Sequence, residues 1–270
     1  MADRQVVYTH GYQEPVLRSH RSRTAQNSAA YLLPELRPGQ VLLDVGCGPG
    51  TITADLAELV GPSGRVVAVD ASAEVLEQAA AHVAGRGLSN VVFESADVHQ
   101  LHYVDGEFDV VHAHQVLQHV ADPVAALCEM RRVTAPGGVV AARDSDYAAM
   151  TWYPEVPELA EWLALYRRIA RANGGEPDAG RRLLSWARAA GLEDVRATSA
   201  TWTYATPEQR AFWGGMWADR AVRSTFAETA VAKGYATLAD LERISAGWRA
   251  WGAEPDGWFA VLHGEVLARV

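Results

Sequence analysis

The chain has 270 residues, 49% hydrophobic and 21% charged, which fits one globular domain and excludes a disordered or fibrous protein. A formal net charge of −9 disfavours a nucleic-acid substrate, whose recognition needs a basic face to displace counterions from phosphates. Cys47 and Cys128 lie too far apart for a CxxC unit, the opening MADRQVVYTH lacks an apolar leader core, and no apolar run is long enough to span a bilayer, so a cytoplasmic protein away from membranes is expected.

Helical composition from Arg23 to Leu36 stops at Arg37-Pro38-Gly39. Gln40 to Val45 is a short apolar run of the kind that forms a strand buried on both faces. Gly46-Cys47-Gly48-Pro49-Gly50 follows it, and Thr51 to Val60 has helical spacing. The pattern then repeats. Strands are expected at Arg65–Asp70, Asn90–Glu94, Phe108–His112 and Val139–Arg143, and helices at Ala73–Ala84, capped by Ser72, and from Asp122-Pro123 to Val133. Such alternation gives a parallel sheet with helices on both faces.

Beyond Asp144 the rhythm changes. Glu155 to Asn173 and Gly180 to Ala190 read as helices, Asp194 to Tyr204 as a strand, Pro207 to about Trp251 as helical, and Trp258 to Val270 as a last strand. The segments 145–176 and 207–254 are too long for loops, and are expected to form a helical cap with the N-terminal segment 1–29. The core is then 30–144, 177–206 and 255–270. The fold expected is a doubly wound α/β domain over 1–270, with a seven-stranded, mostly parallel sheet and helical cap insertions.

A strand, a glycine cluster and a helix form the general plan of a nucleotide site, because backbone N–H groups at the helix start face the ligand and glycine lets it approach. Asp70 ends the next strand, where a carboxylate can accept from ribose hydroxyls. The turn reads GxGxG rather than the GxGxxG of dinucleotide sites, and no GxxxxGK[ST] occurs there, which disfavours a nicotinamide or flavin dinucleotide and a P-loop.

VLLDVGCGPGT (41–51) resembles the first motif of class I S-adenosylmethionine (SAM)-dependent methyltransferases. VVAVDAS (66–72), ESADVHQL (94–101), FDVVHAHQVLQHV (108–120) and RRVTAPGGVV (131–140) are similar to their later motifs and stand in the same order. Within that superfamily the segment at 108–120 most resembles the ubiquinone/menaquinone biosynthesis C-methyltransferases. The resemblance implies that Gly46, Gly48 and Gly50 pass around the methionine part of SAM, and that Asp44 fixes the turn and reaches the ammonium. It further implies that Asp70 holds the ribose, Ala71 lies against the adenine, Asp97 and Val98 bind the adenine edge, and His114 and Gln115 flank the sulfonium. Tyr8, Tyr12 or His20 are candidates to cover the cofactor. S-adenosylhomocysteine (SAH) is the product.

Methyl transfer from a sulfonium needs alignment above all, and a base only where the acceptor must lose a proton. His112, His114 and His119 cluster after the fourth strand, at the edge where such sheets bind ligands. His119 is the first candidate for a base, against packing beneath the cap with bonds to backbone, and Asp144 the second, against holding the cap down through hydrogen bonds. Asp146, Tyr147, Arg181 and Arg182 are weaker candidates for acceptor contact. The histidines lack zinc spacing and cysteine partners, so no metal is expected. The Asn/Asp-Pro-Pro-aromatic turn that amide and adenine-amino methyltransferases of the superfamily carry after strand four is absent at 114–117, so the resemblance argues against those acceptors. Trp152 and Trp213 are candidates to line a pocket, the other cap tryptophans to fill a core.

The function expected is methyl transfer to carbon or oxygen of a small-molecule acceptor, with no nucleic acid or membrane partner and a homodimer as the assembly allowed for. A non-catalytic SAM-binding regulatory protein and an RNA or protein methyltransferase stand as alternatives.

Overall fold

The computed structural model describes Thr9 and residues 20–270. These fall into two compact units. A sheet unit holds 20–144, 179–200 and 263–270; a helical unit holds 145–178 and 201–262.

In the sheet unit the alternation of strand and helix takes the expected form. Strands β1 (Val41–Val45), β2 (Arg65–Asp70), β3 (Val91–Ser95), β4 (Phe108–His114) and β5 (Thr134–Ser145) run parallel, and β8 (Trp258–Arg269) and β7 (Asp194–Tyr204) complete the order β3-β2-β1-β4-β5-β8, with β7 also on β8. Order reverses between β1 and β4, so the carboxyl ends of these two strands border a topological switch point, the usual place for a ligand.

The inner strands β1, β2, β4 and β5 are largely apolar on both faces because both are covered. Leu43, Val111, Val140 and Val266 pack with α4 (Pro123–Val133) and α6 (Leu183–Ala189) on one side. Leu42, Val110, Ala141 and Leu267 pack with α1 (Ala25–Ser28) and α2 (Thr51–Val60) on the other. Helix ends follow their capping residues: the Ser72 hydroxyl accepts from the Val75 N–H at the start of α3 (Ala73–Gly85), and the Asp122 carboxylate accepts from Ala125 N–H before Pro123 opens α4.

One expected helix is much shorter. Only Ala25–Ser28 is helical within Arg23 to Leu36, followed by a 3-10 turn at Leu33–Glu35. Thr24 and Asn27 form a reciprocal capping box that fixes the start, the backbone leaves the helical region at Ala29, and Pro34 stands at the start of the 3-10 turn. The run from Pro207 is likewise three helices, α7 (Pro207–Val222), α8 (Thr225–Ala232) and α9 (Leu238–Ala253). Thr206 closes a capping box that opens the run, and Thr237 closes one that restarts it at α9.

The helical unit also contains α5 (Pro157–Ala172) and an eighth strand, β6 (Thr151–Tyr153), where seven strands were expected. With three residues it is too short to show a period; it pairs antiparallel with Trp258–Ala260 at the start of β8. The core is aromatic. Trp162 is fully buried and meets Trp217 (ring centroids 4.4 Å) and Trp248 (4.8 Å) edge-on, the preferred geometry for such rings. Trp251 and Phe259 complete it. Helices α7 and α9 approach closely because Gly214 leaves room: a Cβ there would stand 2.7 Å from the Trp248 carbonyl oxygen. Trp213 is buried and stacked on Tyr204, and Trp152 lies half-buried and stacked on Phe259. Among the described residues no helix is long and apolar enough to cross a membrane.

Trp162→Ala removes the ring at the centre of this cluster. It is expected to cost ~3–5 kcal/mol of stability, read by urea unfolding. A loss below about 1 kcal/mol would show that the cluster repacks freely.

Candidate functional site

The parallel register brings the polar residues of β1, β2 and β4 to one edge. Asp44 lies beside Ala68 on β2 and His112 on β4, and the chain leaves β1 through the glycine turn one residue later. Gly46, Gly48 and Gly50 have φ of 66°, 55° and 78°, a conformation that favours glycine. Two of the three are also sterically required. A Cβ on Gly46 would lie 2.4 Å from Val116 Cγ2, and one on Gly50 would lie 2.9 Å from Ala79 Cβ. Gly48 differs: a Cβ there would meet nothing within 4 Å, so the middle of the turn faces open space.

A pocket opens at that point. Its walls are Asp44, Gly46, Cys47, Gly48 and Pro49 of the turn, Thr51 and Ile52 of α2, His114 of β4, and His20 and Arg23 from the segment before α1. Expected Asp44, Gly46, Gly48 and His114 thus stand together. His20 is the described one of the three proposed covering residues; Tyr8 and Tyr12 lie outside the described residues. Arg23, Thr51 and Ile52 were not anticipated. Arg23 was hidden because it was read as part of a longer helix, although RSHRSR marks it as one of a basic cluster.

Asp70 is tied to the turn itself. Its Oδ2 accepts from the Gly48 N–H at 3.1 Å and its Oδ1 from the Ser72 N–H at 3.0 Å. Burial raises its carboxyl above the usual range, against the pull of these N–H groups. Each carboxylate oxygen keeps a further lone pair, so the group can still accept from a pair of hydroxyls. Asp44 braces the turn from beneath: its Oδ2 accepts from the Thr53 hydroxyl at 2.6 Å, and its Oδ1 lies 2.8 Å from His112 Nδ1. All three groups are buried.

Asp97 is exposed and Val98 buried at the end of the next strand–loop unit, and Ala71 is exposed beside Asp70. Burial acts to raise the Asp97 carboxyl, but the His99 N–H at 2.9 Å and its ring at 2.7 Å outweigh it and hold the group below its ordinary value. Burial pushes the Cys47 thiol far up, which leaves it a small turn residue rather than a nucleophile.

The candidate proton carriers have opposite characters. Burial, helped by the Arg23 charge, pushes His119 down to about 3, and burial followed by the Arg143 and Arg23 charges pushes His114 well down. Both rings are therefore neutral, and His119 is a weak base. Burial pushes Asp144 up to about 7. Its Oδ1 accepts from the Gln118 N–H at 3.0 Å, and its Oδ2 has no hydrogen-bond partner among the described residues. Asp146 and Tyr147 belong to the helical unit, where Tyr147 stacks on Tyr166 at 4.0 Å. No group of acidic, histidine and cysteine side chains suited to a metal occurs among the described residues.

The turn fits the cofactor that the resemblance implies: open space in front of Gly48, and two acceptor oxygens on Asp70 locked to that same turn. The Asp144 shift has a consequence for stability. Between its unfolded value of about 3.9 and its folded value of about 7, the native state holds a proton that the unfolded chain does not, so stability falls as pH rises through that window. In urea unfolding from pH 4 to pH 8, Asp144→Asn is expected to gain up to ~4 kcal/mol on the wild type. A constant difference would mean that the carboxyl titrates normally.

Comparison with known proteins agrees with the geometry. A family described as a methyltransferase domain matches residues 36–195. An uncharacterized methyltransferase of Schizosaccharomyces pombe is 31% identical over 271 residues, covering 97% of this chain and 96% of its own. The ubiquinone/menaquinone biosynthesis C-methyltransferase UbiE of Bdellovibrio bacteriovorus is 42% identical over 104 residues, covering 38% of this chain and 43% of its own. Among solved structures, a SAM-dependent methyltransferase from Aquifex aeolicus has a TM-score of 0.53 at 22% identity, covering 69% of this chain and 93% of its own. The turn, the paired carboxylate and these likenesses together place the chain in the class I SAM-dependent methyltransferase family.

Proposed function

We propose that the protein transfers the methyl group of SAM to carbon or oxygen of a small-molecule acceptor. The observation that carries methyl transfer is the glycine turn locked to Asp70 beside the pocket; the acceptor class is supported by Asp144. It is a carboxyl at the end of β5, bonded to the turn after β4 and pushed up to about 7, the value that suits a group taking a proton near neutral pH. A hydroxyl or an enolisable carbon must lose a proton on methylation, and a base matched to that task serves such acceptors. The formal charge of −9 and the partial likeness to UbiE support a small, non-nucleic-acid acceptor.

When bound, SAM supplies a methyl group already activated on sulfur. Gly46, Gly48 and Gly50 would cradle its methionine part, Asp70 would hold the ribose hydroxyls, and Asp97 with Val98 would meet the adenine. His114 and Gln115 would stand on the sulfonium side. A neutral His114 fits there, because a second positive charge beside a sulfonium would be repelled. Asp144 is fully buried and is not a wall of the pocket before the glycine turn, so it would take the acceptor's proton through a neighbouring group rather than by contact, a role for which its raised value suits it better than His119.

The test is transfer of labelled methyl from SAM to a panel of phenols, quinols, enolisable carbonyls, amines, RNA and peptides. Label is expected in a phenol, quinol or carbonyl product, and Asp144→Asn is expected to lower kcat by about 100-fold or more with KM for SAM little changed. Label only in RNA or peptide, or none anywhere despite SAM binding, would overturn the reading.

A further inference from the structure

Among the described residues, Gln115 is the one residue other than glycine with a positive φ, at 55°. It directly follows β4, and its N–H donates to the Arg143 carbonyl at 2.7 Å, so pairing with β5 continues to the point where the chain turns. A glutamine held in this region persists only where its surroundings over-determine it, and such residues gather at functional sites.

Two side-chain bonds fix it. Oε1 accepts from the Arg23 guanidinium at 2.7 Å. Nε2 lies 2.9 Å from His263 Nε2. Because Oε1 is committed to a cationic donor, the amide turns its N–H toward the ring. His263 Nε2 must therefore accept, and its own proton sits on Nδ1. His263 comes from β8, far along the chain, and is fully buried. Its ring stacks at 6.3 Å on that of His114, and both His114 and Arg23 form walls of the pocket before the glycine turn. Gln115 therefore joins a buried ring behind the pocket to a guanidinium on its wall.

We infer that His263 and Arg23 are positioning residues, which hold Gln115 in its strained conformation at the sulfonium end of the cofactor. This rests on the placement of SAM against His114 and Gln115 proposed above. His263 thereby gains a part in cofactor binding without touching the cofactor.

The arrangement separates stability from binding. Glycine accepts the positive φ without strain but has no amide to clamp. The experiment is calorimetric titration of the full chain with SAH, with thermal unfolding of each unliganded protein. Gln115→Gly is expected to unfold at the wild-type temperature or above, yet to bind SAH about tenfold more weakly. His263→Phe, which removes one of the two bonds, is expected to lose no more than Gln115→Gly, and the double variant no more than Gln115→Gly alone, since that variant already lacks the bond to His263. His263→Gln, whose carbonyl oxygen can accept the same bond, is expected to recover most of the affinity. Affinity of Gln115→Gly within about twofold of the wild type would overturn the inference, and so would multiplying losses in the double variant. If His263→Phe fails to fold, Gln115→Gly alone decides. A wild type that binds no SAH would instead overturn the cofactor's placement, and this inference with it.

Discussion

The bond between the Gly48 N–H and the Asp70 carboxylate, 3.1 Å long, is the constraint on which the site depends. It joins the turn after β1 to the end of β2, so the two elements that would meet the cofactor cannot move independently. The bond exists only because β1 and β2 pair in parallel and end at the same edge. It also requires Gly48 to adopt a positive φ, which presents its N–H to the carboxylate and leaves open space on its other side. Fold and binding surface are thus set by one local geometry.

The polar groups around this bond are held by burial as much as by pairing. Asp44, Thr53 and His112 form a buried relay beneath the turn, and Arg143 lies 3.2 Å from Glu265 within the same sheet unit. Pairs of this kind are weak sources of net stability, because desolvation offsets the attraction, but breaking one partner leaves an uncompensated buried charge. They therefore fix position. Burial leaves the histidines neutral at 114 and 119, and it raises a carboxyl toward neutrality at 144. Neutral rings add no positive charge beyond Arg23 where a sulfonium would bind, and a raised carboxyl would suit a reaction that removes a proton.

The sheet unit was legible in the sequence because its inner strands are buried on both faces and its turns are marked by glycine and proline, so pattern and punctuation agree. The glycine turn and Asp70 were legible for the same reason: their spacing follows from backbone geometry. Arg23 and His263 were not. Arg23 reaches Gln115 only because Thr24 and Asn27 start a short helix just after it, and His263 reaches Gln115 only through the sheet order. Neither distance is written in local sequence. Strand β6 escaped because three residues carry no period, and the helix-borne Trp162, Trp213, Trp217, Trp248 and Trp251 fill the core of the helical unit because their spacing aims them inward.

The most direct measurement is the calorimetric affinity of SAH for the wild type and for Asp70→Ala. If the Gly48–Asp70 bond anchors the cofactor, the wild type binds SAH in the micromolar range, and Asp70→Ala loses about 100-fold or more, since it removes the acceptors for the ribose and frees the turn. Equal affinity in the two proteins, or no binding to the wild type at hundreds of micromolar, would contradict it.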